Sequence, residues 1–186
     1  VTIVMDDGQY ETTTFRTDGV YSDSRHPDSV TFVSNIENDL ARRDFTINAL
    51  AYDGDRLIDL YDGTHHLEQG IISCVGNADD RFNEDALRIM RALRFASVYG
   101  FKIADETAKA IHKNAKLLHN IAVERINAEL CKLLCGKGIL QILLDYNDVI
   151  ATIIPEFKPC IGFDQNNRYH QYTVYNHIAH AVANYT

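Results

Sequence analysis

The sequence predicts an α+β fold, and three observations carry that expectation. Val, Ile, Thr, Tyr and Phe alternate through residues 1–16 around Asp6-Asp7-Gly8. A second alternating pair, Ala49 to Asp53 and Arg56 to Leu60, flanks Gly54-Asp55. After Gly76 the apolar residues recur at helical spacing. Part of an antiparallel sheet should therefore come first and an all-helical region should follow, with the boundary near Asp62-Gly63.

Taken in order, residues 1–5 and 9–16 form a hairpin across the Asp-Asp-Gly turn. The next segment, to about Val33, holds Gly19, Pro27 and several Ser and Asp, and reads as an irregular loop with at most one short strand. Asn38 to Ala51 starts as a short polar helix and passes into a buried, β-prone stretch, which the second hairpin extends. Lys102 to His119 is amphipathic, and Val123 to Leu134 is a further helix. Gly136 and Gly138 interrupt before a helix over Ile139 to Ile154, which Pro155 and Pro159 end. A last helix follows a polar linker within QNNRYHQYTVYNHIAHAVANYT. The expected units are residues 1–63, 64–164 and 165–186. The chain opens on Val1 directly in strand-like alternation, so the expectation is a piece of a longer protein.

Composition narrows the class. Of 186 residues, 46% are hydrophobic and 24% charged, as in an ordinary globular protein, and no apolar run reaches the ~18 residues a membrane span needs. A net charge of −8 excludes a protein that coats nucleic acid non-specifically. The positive charge is local: Arg25, Arg42, Arg43, Arg81, Arg88, Arg91 and Arg94 concentrate near two motif stretches, which suits phosphate held in a cleft. Cys74, Cys131, Cys135 and Cys160 form no Cys-x-x-Cys pair and no zinc spacing, which suits a reducing cytoplasm. Cys131 and Cys135, four apart on a helix, are expected to be buried. His65 and His66 read as loop residues with no third metal ligand near.

The stretch Arg81 to Phe95, RFNEDALRIMRALRF, carries the chemistry. At 100° per residue, Glu84, Asp85, Arg88 and Arg91 fall within an arc of about 120°, and Ala86, Leu87, Ile89, Met90, Leu93 and Ala96 occupy the opposite one. A solvated helix face with ordinary ion pairs explains this pattern. So does base recognition. Cytosine and adenine present an amine donor beside a ring-nitrogen acceptor, guanine and uracil the reverse, so Asp85 with Arg88 can accept the first two and reject the others.

Here the residues also resemble a family. EDALRIMRALRF is similar to the nucleotide-selecting helix of the class II tRNA nucleotidyltransferases, the CCA-adding enzymes, and of the related bacterial poly(A) polymerases. YETTTFRTDGVYSDSRHPDSVTFV and DLARRDFTINALAYD resemble the head-domain strand and the ribose-binding motif of that family, LIDLYDGTHHLEQGIISCVG its hinge, and ERINAEL its bracing neck motif. The likeness covers roughly residues 10 to 130, and RRDFTINALA followed by EDALRIMRALRF makes it specific. It implies a partial palm-like nucleotidyltransferase sheet, a helical neck and the start of an HD-type helical domain. It also implies that tRNA, CTP and ATP are the partners and that Mg2+ is the cofactor. Arg43 and Arg91 would hold phosphate, Asp44 and Asn48 the ribose, and Asp85 with Arg88 the base. Glu124 and Arg125 would brace the reading helix.

The resemblance also sets limits. The principal metal-binding aspartates of the family lie on a strand before Val1, so no catalytic residue is assigned and the 186 residues alone are expected to be inactive. Glu11, a strand-borne acid, is a candidate metal ligand, and an exposed acid on an edge strand explains it equally well. His177, three residues before His180, matches the first ligand of an HD site whose other residues would lie downstream. A bacterial poly(A) polymerase is the alternative within the family. An HD-type metal phosphohydrolase and a non-catalytic RNA-binding module are the alternatives outside it. Oligomeric state is not encoded in any of these motifs.

Overall fold

The computed structural model describes residues 1–19, 21, 27–166, 168–169 and 171–185. Arg25 lies outside them, as do the other residues of 22–26 and residue 20 in the segment expected to be an irregular loop. The first hairpin is present: β1 (Thr2–Met5) pairs antiparallel with β2 (Gly8–Glu11), Thr2 opposite Glu11 and Met5 opposite Gly8. Two short strands flank the undescribed residues where one was expected. They are β3 (Arg16–Asp18) and β4 (Val30–Phe32), also antiparallel.

Helix α1 (Ile36–Ala41) starts at Asn35, whose side chain accepts from the Glu37 amide at 2.8 Å. The stretch expected to be β-prone instead makes a 3₁₀ turn at Thr46–Asn48, and only then enters β5 (Leu50–Tyr52). β5 pairs with β6 (Leu57–Asp59) in the expected hairpin, with Gly54 at φ 100° turning the loop. Among the described residues every ladder has two strands, so the head is a set of hairpins without a wider sheet.

The joint into the helical region is built tightly. In α2 (Gly63–Gln69) the first amides are capped by Asp59, which accepts from the Gly63 and Thr64 amides at 2.8 and 2.9 Å. His65 and His66 are therefore helical, contrary to the loop expectation, and His66 Nδ1 lies 2.8 Å from Thr46 Oγ1. Gly63 is buried, and a Cβ there would collide with the Thr46 carbonyl oxygen. Gly63→Ala should consequently lower stability by about 1–3 kcal/mol, as overpacking does. A thermal melt that matches the unsubstituted chain would remove this contact from the account.

The helical remainder is β7 (Ile71–Ile72), α3 (Ala78–Glu84), α4 (Leu87–Tyr99), β8 (Lys102–Ile103) and α5 (Asp105–Asn114), then a 3₁₀ segment at Ala115–Asn120. It continues with α6 (Val123–Leu134), α7 (Ile139–Asp145), α8 (Asn147–Ile153), a 3₁₀ segment at Pro155–Cys160 and α9 (Val174–Ala183). Several expectations change. Lys102–Ile103 leaves the helix to pair in parallel with β7. The helix expected over Ile139 to Ile154 breaks at Tyr146, and Pro155 and Pro159 sit inside a 3₁₀ segment. Cys131 and Cys135 are exposed, because α6 turns its opposite face to α4; the buried cysteine is Cys74, whose thiol burial pushes up to about 12.

The apolar arc read from the sequence is the centre of the core. Ala86, Leu87, Ile89, Met90, Leu93 and Ala96 are all buried, and the same cluster takes in Phe45, Ile47 and Ile72. Leu40 and Ala49 belong to a second, smaller cluster with Val75. The segment between α1 and β5 is thus anchored in both cores, which fixes the polar residues that alternate with its buried ones.

Candidate functional site

All six residues singled out for binding line one cleft of about 420 Å3: Arg43, Asp44, Asn48, Asp85, Arg88 and Arg91. Arg42 and Phe95 complete the lining. Four guanidiniums face two carboxylates, so the cleft favours an anion. It is assembled from the α1–β5 segment and from the α3–α4 junction, some forty residues apart in sequence.

The junction is not the continuous helix on which the sequence reading placed its four polar residues. Asp85 is extended, at φ −139° and ψ 104°, and separates α3 from α4. Aspartate competes for nearby amides and so favours helix starts. Here its Oδ1 accepts from the Leu87 amide at 3.0 Å and its Oδ2 lies 3.4 Å from Arg125 Nη2. Arg125 of ERINAEL therefore reaches the carboxylate of the break, whereas Glu124, expected to brace with it, is exposed. The companion brace is Arg94 with Glu129, at 2.9 Å.

Three arginines tie the junction to the α1–β5 segment. Arg81 Nη1 donates to the Ala41 carbonyl at 3.0 Å, and Arg88 Nη2 to the Arg42 carbonyl at 3.1 Å. These contacts satisfy carbonyls that the end of α1 leaves open. Arg91 meets Asp44 Oδ2 through Nε at 2.8 Å and Nη2 at 2.6 Å. Arg88 is only 11% exposed, and its Nη1 donates to both Glu84 and the Arg81 carbonyl. Among the described residues its Nε–H and one Nη2 hydrogen bond no protein acceptor, and they are the donors left for a ligand.

Asp44 is held from every side. Its Oδ1 accepts from the Phe45 amide at 2.9 Å and from Asn48 Nδ2 at 3.1 Å, while Oδ2 takes Arg91. Arg43 donates through Nη1 to the Asn48 carbonyl at 3.1 Å and through Nη2 to Asp39 Oδ2 at 3.2 Å. Arg42 forks onto Asp39 Oδ1 at 3.0 and 2.6 Å. Burial alone pushes the Asp39 carboxyl up, but the hydrogen bonds from Arg42 and the Arg16 amide, the Arg42 charge and the bond from Arg43 outweigh it and hold the group below the usual carboxylate range.

The sequence reading missed Asp39, Arg42 and Phe95 as members of this region. A signal for Asp39 was available: it stands three and four residues before two arginines, the spacing of helical ion pairs. Glu11 lies exposed on β2 opposite Thr2 and does not line the cleft. Among the described residues no three His, Cys, Asp or Glu side chains gather to hold a metal ion, Glu11, His177 and His180 included.

Residues 1–73 match the poly A polymerase head domain, and residues 100–161 match the domain described as a probable RNA and SrmB-binding site of polymerase A. The CCA-adding enzyme of Ligilactobacillus salivarius is 53% identical over 148 residues, 78% of this chain and 37% of that protein. The crystal structure of the Bacillus stearothermophilus CCA-adding enzyme in complex with CTP superposes with a TM-score of 0.71 at 44% identity, over 79% of this chain and 35% of that one. The Thermotoga maritima CCA-adding enzyme complexed with tRNA gives 0.59 at 33% identity, over 66% and 32%. The chain thus spans about two fifths of the length of the curated relatives it matches.

Proposed function

The chain belongs to the family of the poly A polymerases and CCA-adding enzymes, and from that premise we propose that its cleft binds CTP and ATP for template-independent addition to the 3′ end of tRNA. The observation that carries this reading is the convergence of Arg43, Asp44, Asn48, Asp85, Arg88 and Arg91 on one cleft. A relative whose structure holds CTP and another whose structure holds tRNA support the choice of ligands. In the proposed reaction the tRNA 3′-hydroxyl attacks the α-phosphate and pyrophosphate leaves.

The described residues bind and select. Arg43 and Arg91 hold the phosphates, and Asp44 with Asn48 sets the ribose, whose 2′-hydroxyl distinguishes ribonucleotides. Asp85 accepts from the exocyclic amine of C or A, using lone pairs left over from the Leu87 amide and Arg125. Arg88 donates to the adjacent ring nitrogen from its Nε–H or remaining Nη2 hydrogen.

Nucleotidyl transfer typically uses divalent metal ions, and Mg2+ is the ion we propose for the whole protein. Among the described residues no group of three His, Cys, Asp or Glu side chains, Glu11 included, would hold it. We further propose the units 1–63, 64–164 and 165–186 as head, neck and the start of an HD-type domain, and a cytoplasmic setting. No helix of the described residues is long and apolar enough to cross a membrane.

Titration of the four nucleotides tests the reading. UTP and GTP place a carbonyl against the Asp85 carboxylate, a mismatch of roughly 1 to 3 kcal/mol, so CTP and ATP should bind about 5- to 150-fold more tightly. Asp85→Asn donates as well as accepts, so discrimination against UTP should shrink selectively while binding persists through Arg43 and Arg91. An unchanged preference in that variant would take Asp85 out of base reading.

A further inference from the structure

Asp39 is 2% exposed and sits midway along the six-residue α1. A buried carboxylate in that position is costly unless it is fully paired. It is paired by four donors: the Arg16 amide at 3.3 Å and the Arg42 fork on Oδ1, and Arg43 Nη2 on Oδ2.

The two arginines use this carboxylate differently. Arg42 is 23% exposed; besides its fork on Asp39, its Nε donates to the Arg16 carbonyl at 3.2 Å and its Nη1 lies 3.5 Å from Asp18. It neutralises the charge and joins α1 to β3. Arg43 is 41% exposed and gives Asp39 one contact from Nη2, while Nη1 goes to the Asn48 carbonyl. Two fixed points define the plane of a guanidinium, so its remaining hydrogens keep one direction at the cleft wall.

We propose that Asp39 is a positioning residue for nucleotide binding, which through Arg43 orients the phosphate contacts of the cleft. The inference rests on the reading of the cleft as a nucleotide site. An arginine free to rotate loses rotamer entropy when it grips phosphate, and the Asp39 bond removes that loss beforehand. The effect belongs to the phosphates and not to the base, which Asp85 and Arg88 read from the other side of the cleft.

Equilibrium binding of CTP and of cytidine to the 186-residue chain separates this role from a merely structural one. In Asp39→Asn, CTP affinity should fall about five- to tenfold while cytidine affinity holds. Adding Arg43→Ala to that variant should weaken CTP no further than Arg43→Ala does alone, because both changes remove one contact. Equal losses for CTP and cytidine, or losses that add in the double variant, would assign Asp39 to folding alone and overturn the proposal. If Asp39→Asn does not fold, Asp39→Glu keeps the charge and displaces Arg43 by a methylene, and an unchanged CTP affinity there overturns it equally. Arg43→Ala alone tests the premise separately: full CTP affinity in that variant would reject the phosphate role of Arg43, and with it this inference.

Discussion

Replacing Arg94 with alanine is expected to destabilise the fold by about 3–5 kcal/mol, because it strands a buried carboxylate. Arg94 Nε lies 2.9 Å from Glu129 Oε2, with side chains 15% and 10% exposed, and its guanidinium sits 4.1 Å over the Phe95 ring. The pair joins α4 to α6 in the middle of the largest helix contact. At about 2–4 °C per kcal/mol for a domain of this size, the melting temperature should drop by about 6–20 °C. Glu129→Gln in the same background removes the stranded charge and should restore much of the loss. A melt within 2 °C of the unsubstituted chain would mean that Glu129 finds water or another cation. By helical wheel alone Arg94 lies ~120° from Arg88, beside the apolar arc; the structure adds that this face is turned to the ERINAEL helix.

Arg88→Ala should act on binding. It removes the donor proposed to read the base and also the link from α4 to the Arg42 carbonyl and to Glu84. A charge-assisted hydrogen bond contributes about 1.5–3 kcal/mol, so CTP and ATP affinity should fall about 10- to 150-fold, and the preference over UTP and GTP should collapse. Arg88→Lys should recover little, since one ammonium cannot reach Glu84, two backbone carbonyls and a base together. Calorimetry of the four nucleotides reads the result, with circular dichroism to show that the helices persist. A variant that still prefers CTP and ATP would move selection to Asp85 or to the backbone. Arg88→Ala should cost far more nucleotide affinity than Arg94→Ala, and Arg94→Ala more stability than Arg88→Ala.

The site was legible where side-chain identity alone decides the chemistry. Carboxylates, amides and guanidiniums within RRDFTIN and EDALRIMR mark an anion-binding and hydrogen-bonding surface wherever the chain puts them. Hairpin turns such as Gly54-Asp55 and the helix Val123–Leu134 were legible too, because turn chemistry and apolar periodicity are local. The face of α6 that packs was not. Cys131 and Cys135 are apolar enough to be core, yet they are exposed because α4 occupies the other side.

Sequence by itself determined the α+β order and the apolar arc from Ala86 to Ala96, since both follow from residue type and short-range spacing; six of the eight cleft residues were named from side-chain chemistry together with the family resemblance. Tertiary structure alone decided how those side chains are aimed. The helix breaks at Asp85, where the carboxylate bonds the Leu87 amide and Arg125, forty residues away, closes on it. Arg88 and Arg91 are oriented by the Arg42 carbonyl and by Asp44, and Arg43 by a buried Asp39. The physical reason is that a guanidinium or carboxylate takes its direction from whichever partners burial brings within about 3 Å, and those partners lie on other segments that local sequence cannot place.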